Sequence, residues 1–173
     1  DSDTSTVTKL EVIGAVIPAG TYTVGVAPSD YLTLDEALTA INCGGIGGPV
    51  TLAMKPGNYT GNFNIGSFAG SSFGLNITSQ SFNANDVVFD NGGSGNTFTI
   101  DGAENVTLSS ITISNPQAPS SASAGVFISN SNAVTVTACT ISGNNGSGVE
   151  LASGVNGNAV INNWIGLDIE GRA

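Results

Sequence analysis

The sequence predicts an all-β parallel β-helix, a fold in which short strands wind into stacked turns that we call rungs. An internal repeat carries this prediction. Residues 97–115 align with residues 125–143 without a gap, at a constant offset of 28 residues. Each copy holds three short strands of alternating apolar and polar residues, separated by Gly, Asn, Asp and Ser, which is a strand and turn pattern and not a helical one. A repeat of this length indicates stacked units.

The repeat also predicts the register of the strands. Apolar residues fall on apolar residues at six matched positions: Phe98 and Val126, Ile100 and Ile128, Val106 and Val134, Leu108 and Val136, Ile111 and Cys139, and Ile113 and Ile141. We expect Ile100 to lie one rung from Ile128, and Leu108 one rung from Val136, with inward side chains and Cα atoms about 4.8 Å apart.

One helix is predicted ahead of the rungs. Thr33 and Glu36 form a capping box, in which each side chain accepts a hydrogen bond from a free backbone N–H of the first turn. Gly44 ends the helix. Its apolar face consists of Leu34, Ala37, Leu38 and Ile41. We expect this helix to cap the first rung, because the end units of a solenoid must be covered.

The chain divides into a lead-in strand (1–17), a cap with the helix (18–48) and the rungs (49–173), of which we expect about four to five. The last residues do not resemble a cap. We therefore expect this end to pack on neighbouring β-helix rungs or on another copy, since exposed sheet edges are normally covered. Residues 169–172, Ile-Glu-Gly-Arg, are either a further strand or the recognition sequence of a protease used to remove fusion tags.

Composition excludes two classes of partner. The 173 residues include 3 Lys and Arg against 13 Asp and Glu, a net charge of -10. This charge repels nucleic acids and anionic membrane surfaces, and no apolar run approaches the roughly 20 residues that insert into a bilayer. Abundant Gly, Asn, Ser and Thr with few charges favour a secreted or cell-surface protein.

Cys43 and Cys139 could form one disulfide, but several rungs separate them, so we expect two free thiols with Cys139 buried.

Four stretches carry a family resemblance: residues 19–25 (Ala-Gly-Thr-Tyr-Thr-Val-Gly), 30–38, 45–50 and 56–60 (Pro-Gly-Asn-Tyr-Thr). They resemble the cap and first rung of the pectin-lyase-like right-handed parallel β-helix superfamily, especially its versions in secreted surface proteins of Bacteroidetes. The resemblance implies a right-handed solenoid of three sheets with a short N-terminal capping helix. It also implies export and roles from polysaccharide processing to adhesion. One fold hosts many functions, so the activity stays open.

The superfamily includes pectate lyases, polygalacturonases and pectin methylesterases, but the residues offer little for catalysis. The cations are Lys9, Lys55 and Arg172, and Lys55 precedes a Pro-Gly turn where we expect a solvated corner. Without His there is no His-dependent triad and no imidazole metal ligand.

A glycosidase needs two facing carboxylates, and the one candidate cluster is Asp86, Asp90, Asp101 and Glu104. Their Asn and Gly neighbours favour a role in turns. Asp86, Asp90 and Asp101 are nevertheless candidate calcium ligands, since calcium prefers oxygen. We expect no other cofactor.

The sequence therefore predicts a non-catalytic β-helix module of an extracellular or cell-surface protein, structural or adhesive, with weak polysaccharide binding. The alternative is an N-terminal fragment of a polysaccharide lyase or glycoside hydrolase. Candidate carbohydrate-binding residues are Tyr59, Asn91, Asn115 and Asn144. The single tryptophan, Trp164, is expected to plug the end of the core, with a sugar-stacking platform as the alternative.

Overall fold

A computed structural model describes residues 14–91, 95–114 and 123–166 of the chain. In these residues fifteen strands and one α-helix, α1, wind into a parallel β-helix. The elements are β1 (Gly20–Val24), α1 (Leu34–Gly44), β2 (Val50–Met54), β3 (Gly57–Thr60), β4 (Phe63–Ile65), β5 (Leu75–Ser79), β6 (Val87–Asp90), β7 (Phe98–Asp101), β8 (Val106–Ser109), β9 (Thr112–Ser114), β10 (Val126–Ser129), β11 (Thr135–Thr137), β12 (Thr140–Ile141), β13 (Val149–Leu151), β14 (Ala159–Ile161) and β15 (Trp164–Ile165).

The strands form three parallel sheets. Sheet A has the order β1-β2-β5-β8-β11-β14, sheet B has β3-β6-β9-β12-β15, and sheet C has β4-β7-β10-β13. The chain passes from A to B to C in every turn. Within the described residues it completes four turns from β2 to β13 and begins a fifth with β14 and β15. The predicted all-β parallel β-helix is confirmed.

The predicted register is also confirmed. Ile100 pairs with Ile128 in sheet C, and Leu108 pairs with Val136 in sheet A. All four side chains are fully buried. Because side chains alternate between the two faces of a strand, the residues between them point outward and the apolar positions stack into one continuous core.

The helix caps the core through the four apolar side chains named above, all of them buried. The Thr33 hydroxyl accepts a hydrogen bond from Glu36 N–H at 3.2 Å, as predicted. The Glu36 carboxylate accepts instead from Leu32 N–H at 2.9 Å, one residue before the N-cap. The helix continues through Gly44 and ends at Gly45, whose φ of 72° is accessible to glycine without strain.

Sheet A extends into the predicted cap, because β1 pairs with β2 from Gly20 with Val50 through Val24 with Met54.

Most of the predicted lead-in strand and residues 169–172 lie outside the described residues. Both thiols are free as expected, with Cys43 exposed and Cys139 buried. None of the helices that the structure describes is long and apolar enough to cross a membrane.

Candidate functional site

A column of outward side chains on sheet B leads to the most distinctive surface feature. Thr112 pairs with Thr140, and Thr140 pairs with Trp164, so these three residues occupy successive rungs on the same face. The residue after Thr140, Ile141, is buried in the core, and the residue after Trp164, Ile165, pairs with Ile141 on the inner side of the wall. Trp164 therefore projects from the outside of the wall and is 53% exposed.

A loop forms a ridge parallel to Trp164. The connection from sheet A to sheet B is two residues long between β8 and β9, but it spans residues 80–86 between β5 and β6. This longer loop folds over sheet B, where the Thr112 hydroxyl donates to the Ala84 carbonyl at 2.9 Å. The loop thereby lies over the rung of Thr112, and the rung of Thr140 lies between this loop and Trp164.

Thr140, which is 7% exposed, lies at the floor of a slot between this loop and the indole, which we call the Trp164 slot. Its cavity volume is about 310 Å³. The loop lies over β9 and Trp164 lies on β15, so the two walls stand two strand spacings apart, about 9–10 Å. The lining residues are Asn83, Ala84, Asn85, Ala138, Cys139, Thr140, Asn162 and Trp164.

Two asparagine side chains offer unused hydrogen-bonding groups to the slot. Asn83 is committed to the loop, because its side chain accepts from Asn85 N–H at 3.1 Å and donates to Asp86 at 3.2 Å. The side-chain amides of Asn85 and Asn162 are exposed and make no hydrogen bond to any other described residue. Each presents one acceptor and two donor hydrogens.

The neighbouring Asn163 shows the opposite role. Its amide donates to the Val136 carbonyl at 2.7 Å and accepts from Cys139 N–H at 2.8 Å, so it ties one rung to the previous one.

The Cys139 thiol donates inward to the Thr137 carbonyl at 3.2 Å. Burial raises the pKa of this thiol to about 11, which keeps it protonated at neutral pH. Among the described residues that line the slot, none is poised for proton transfer.

The structure describes three of the four sequence-predicted carbohydrate-binding residues. The Tyr59 ring stacks on Phe89 at 5.3 Å, and its hydroxyl donates to the Lys55 carbonyl at 2.7 Å. Burial raises the pKa of Tyr59. Asn91 is 5% exposed and donates to the Gly95 carbonyl at 2.7 Å.

Asn144 lies in the turn between β12 and β13 and donates to the Ser142 carbonyl at 3.2 Å. Asn115 lies outside the described residues. The binding role assigned to these four residues stays a prediction.

The three predicted calcium ligands lie at different places in the fold. Asp86 precedes β6, where its two oxygens accept from Ser81 at 2.5 Å and Asn83 at 3.2 Å. Asp90 ends β6 in sheet B, and Asp101 ends β7 in sheet C. No group of three or more acidic, Cys or His side chains in the described ranges is arranged to hold a metal ion. Calcium binding stays a prediction. These three side chains do not form a shared site for it.

Asp101 has the most specific environment of the three. Its Oδ1 accepts hydrogen bonds from Ser129 at 2.7 Å and Asn130 at 2.9 Å. The Asn130 bond, with a further contribution from Ser129, lowers the pKa of the Asp101 carboxyl. The group is therefore a carboxylate at neutral pH, which suits a hydrogen-bond acceptor and does not suit a general acid.

Two expectations from the sequence need correction. Lys55 lies at the corner between β2 and β3 as expected, but its ammonium is not left to solvent alone, because it donates to the carbonyls of Val26 (2.8 Å) and Pro28 in the cap. Trp164 is not a core plug, because it lies on the outer face. The signal for its position was present in the sequence: Thr140-Ile141 and Trp164-Ile165 match at an offset of 24 residues, with isoleucine inward in both.

The comparisons with known proteins concern the fold. The sequence matches the family model described as a right handed beta helix region over residues 20–166. The structure is similar to the crystal structure of the pectin methylesterase from Aspergillus niger in deglycosylated form, with a TM-score of 0.53 and 16% sequence identity. The similarity covers 86% of this chain and 56% of the enzyme, so the chain spans little more than half of that protein.

A search of curated proteins found no match. The right-handed β-helix model covers most of the sequence and agrees with the three parallel sheets. The chain belongs to the right-handed β-helix family, with the pectin-lyase-like fold.

Proposed function

We propose that the chain is a non-catalytic carbohydrate-binding module of a secreted or cell-surface protein, and that it holds a neutral glycan in the Trp164 slot. One observation carries this proposal: the exposed outer-face indole stands beside the unused amides of Asn85 and Asn162. An indole ring offers an apolar face to the C–H groups of a sugar, while the amides suit its hydroxyls. A few convergent polar groups around an apolar surface are typical of ligand sites.

Charge favours a neutral glycan. The described residues that line the slot include no acidic or basic side chain, and the net charge of the chain is -10. A uronate polymer would meet long-range repulsion as it approached, which lowers its association rate. We therefore expect glucomannan, xyloglucan or hydroxyethylcellulose to bind more tightly than polygalacturonate or alginate.

Replacing Trp164 by alanine should weaken binding to the best neutral polysaccharide by at least about tenfold, because a central aromatic group dominates many interfaces. Affinity electrophoresis measures this directly. Trp164→Phe should retain part of the affinity. Since Trp164 is the single tryptophan, its fluorescence should also change when wild-type protein binds.

Phe82→Ala is the matched control, because Phe82 is an aromatic residue of the same loop, 76% exposed, that does not line the slot. Equal retardation of wild type and Trp164→Ala would contradict the proposal. Unchanged thermal unfolding of each variant ensures that binding, and not folding, is compared.

The second candidate is an enzyme fragment, favoured by the likeness to a pectin methylesterase and by the ordered carboxylate of Asp101 on sheet C. We expect no turnover, because proton transfer needs a positioned acid or base of suitable pKa. Assays for new reducing ends, unsaturated uronates and methanol, on pectin and alginate with and without Ca²⁺, measure it. Turnover lost in Asp90→Ala or Asp101→Ala would establish an enzyme instead.

A structural role accompanies binding in this proposal. Leu151 and Ile165 are 51% and 45% exposed, although their partners Ile128 and Ile141 on the previous rung are fully buried. Such side chains would pack well on further β-helix rungs or on another copy.

A further inference from the structure

Polar, uncharged side chains form an ordered array on the outer face of four strands of sheet A: β2, β5, β8 and β11. Thr51, Asn76, Thr107 and Thr135 form one column in successive strands. Ser109 and Thr137 belong to a second column two residues further along the strands, in which the first member, Thr78, is buried at 2% exposure. The spacing is about 4.8 Å between strands and about 6.6 Å along each strand. We call this surface the sheet A face.

Part of the sheet A face is held in place before any ligand arrives. The Ser109 hydroxyl donates to Asn76 Oδ1 at 3.1 Å, between neighbouring strands. The Asn76 amide nitrogen makes no hydrogen bond to another described residue, so it retains two donor hydrogens. A fixed donor loses little conformational entropy on binding, which strengthens an interaction of the same geometry.

An exposed aromatic residue lies near each of two opposite corners of this face: Phe73 before β5, and Trp164 on the neighbouring sheet B, three residues after β14. Phe73, 52% exposed, lines a shallow groove of about 200 Å³ with Thr51, Asn76 and Thr107, where the chain enters sheet A. At the opposite corner, Asn162 of the Trp164 slot directly follows β14. From β5 to β14 there are three strand spacings, about 14 Å. A single sugar cannot reach both aromatic rings, whereas a chain of several sugars can.

We propose that an extended neutral glycan chain lies diagonally across the sheet A face, with one segment at Phe73 and another in the Trp164 slot. This inference rests on the proposed function and deepens it. It states that the protein binds the interior of a polymer and not a chain end. The second contact forms within the same complex once the first has formed, so affinity rises with chain length without a stronger contact at either end.

Calorimetric titration of the full chain with cello- and manno-oligosaccharides, from disaccharide to hexasaccharide, tests this arrangement. We expect affinity to rise with length. Phe73→Ala should weaken hexasaccharide binding roughly tenfold and leave disaccharide binding unchanged, whereas Trp164→Ala should weaken both. Thr135→Glu, in the middle of the path, should also weaken the hexasaccharide. Thr60→Glu, exposed on sheet B, is the matched control.

Equal affinity for short and long oligosaccharides, or a Phe73→Ala variant that binds the hexasaccharide like wild type, would overturn the extended path. If Trp164→Ala still abolished disaccharide binding in that case, the proposed function would stand. If no oligosaccharide of either series bound to the wild-type protein, both proposals would fail.

Discussion

Replacing Phe89 by alanine lowers the free energy of unfolding by roughly 3–5 kcal/mol, the range for an aromatic residue removed from a core. Phe89 is fully buried. Its ring centroid lies 5.3 Å from that of Tyr59, 5.1 Å from Phe63 and 4.9 Å from Phe98. These residues belong to β3, β4 and β7, so one truncation opens a cavity shared by two rungs and two sheets. Urea unfolding followed by circular dichroism measures the change.

Phe82→Ala is the control for this measurement as well. It makes the same truncation at a side chain that is 76% exposed, and we expect a change within about 0.5 kcal/mol. If Phe89→Ala lowered the free energy of unfolding no more than Phe82→Ala does, the aromatic cluster would not stabilise the solenoid.

Leu38→Asp destabilises the protein by several kcal/mol, because it places an unpaired carboxylate in the core. Leu38 is 3% exposed and belongs to the face of α1 that covers the first rung. Thr33→Ala removes the acceptor for Glu36 N–H and should cost about 1 kcal/mol. Thermal and urea unfolding should separate the two variants clearly.

Leu32→Asp introduces the same charge six residues earlier, where the side chain is 60% exposed. We expect a small effect, since an acidic group near the start of a helix is compatible with the helix dipole. Negligible and equal effects of Leu38→Asp and Thr33→Ala would show that α1 does not cap the solenoid.

The repeat predicted more of the fold than of the site. The offset of 28 residues predicted that Ile100 lies beside Ile128, because side-chain alternation and strand stacking are both local consequences of the sequence pattern. The capping box predicted α1 for the same reason. The candidate binding residues were chosen by type alone. In the structure the Tyr59 ring stacks on Phe89, and Asn91 is buried.

The Trp164 slot shows where sequence information ends. Alternation from Ile141 to Ile165 is sufficient to place Trp164 on the outer face. No local pattern indicates that residues 80–86 fold across sheet B and lie opposite the indole. That position depends on contacts between residues distant in the sequence, such as Thr112 with Ala84.

The sequence by itself determined the solenoid, its inward residues, the helix at one end and the scarcity of catalytic groups. These follow from periodicity, capping chemistry and composition, which act within one rung or between copies of it. Only the tertiary structure decided which polar residues are structural and which are available, because neighbours such as Asn162 and Asn163 differ in what the adjacent rung offers them. Asn163 meets free backbone groups, and Asn162 faces the slot.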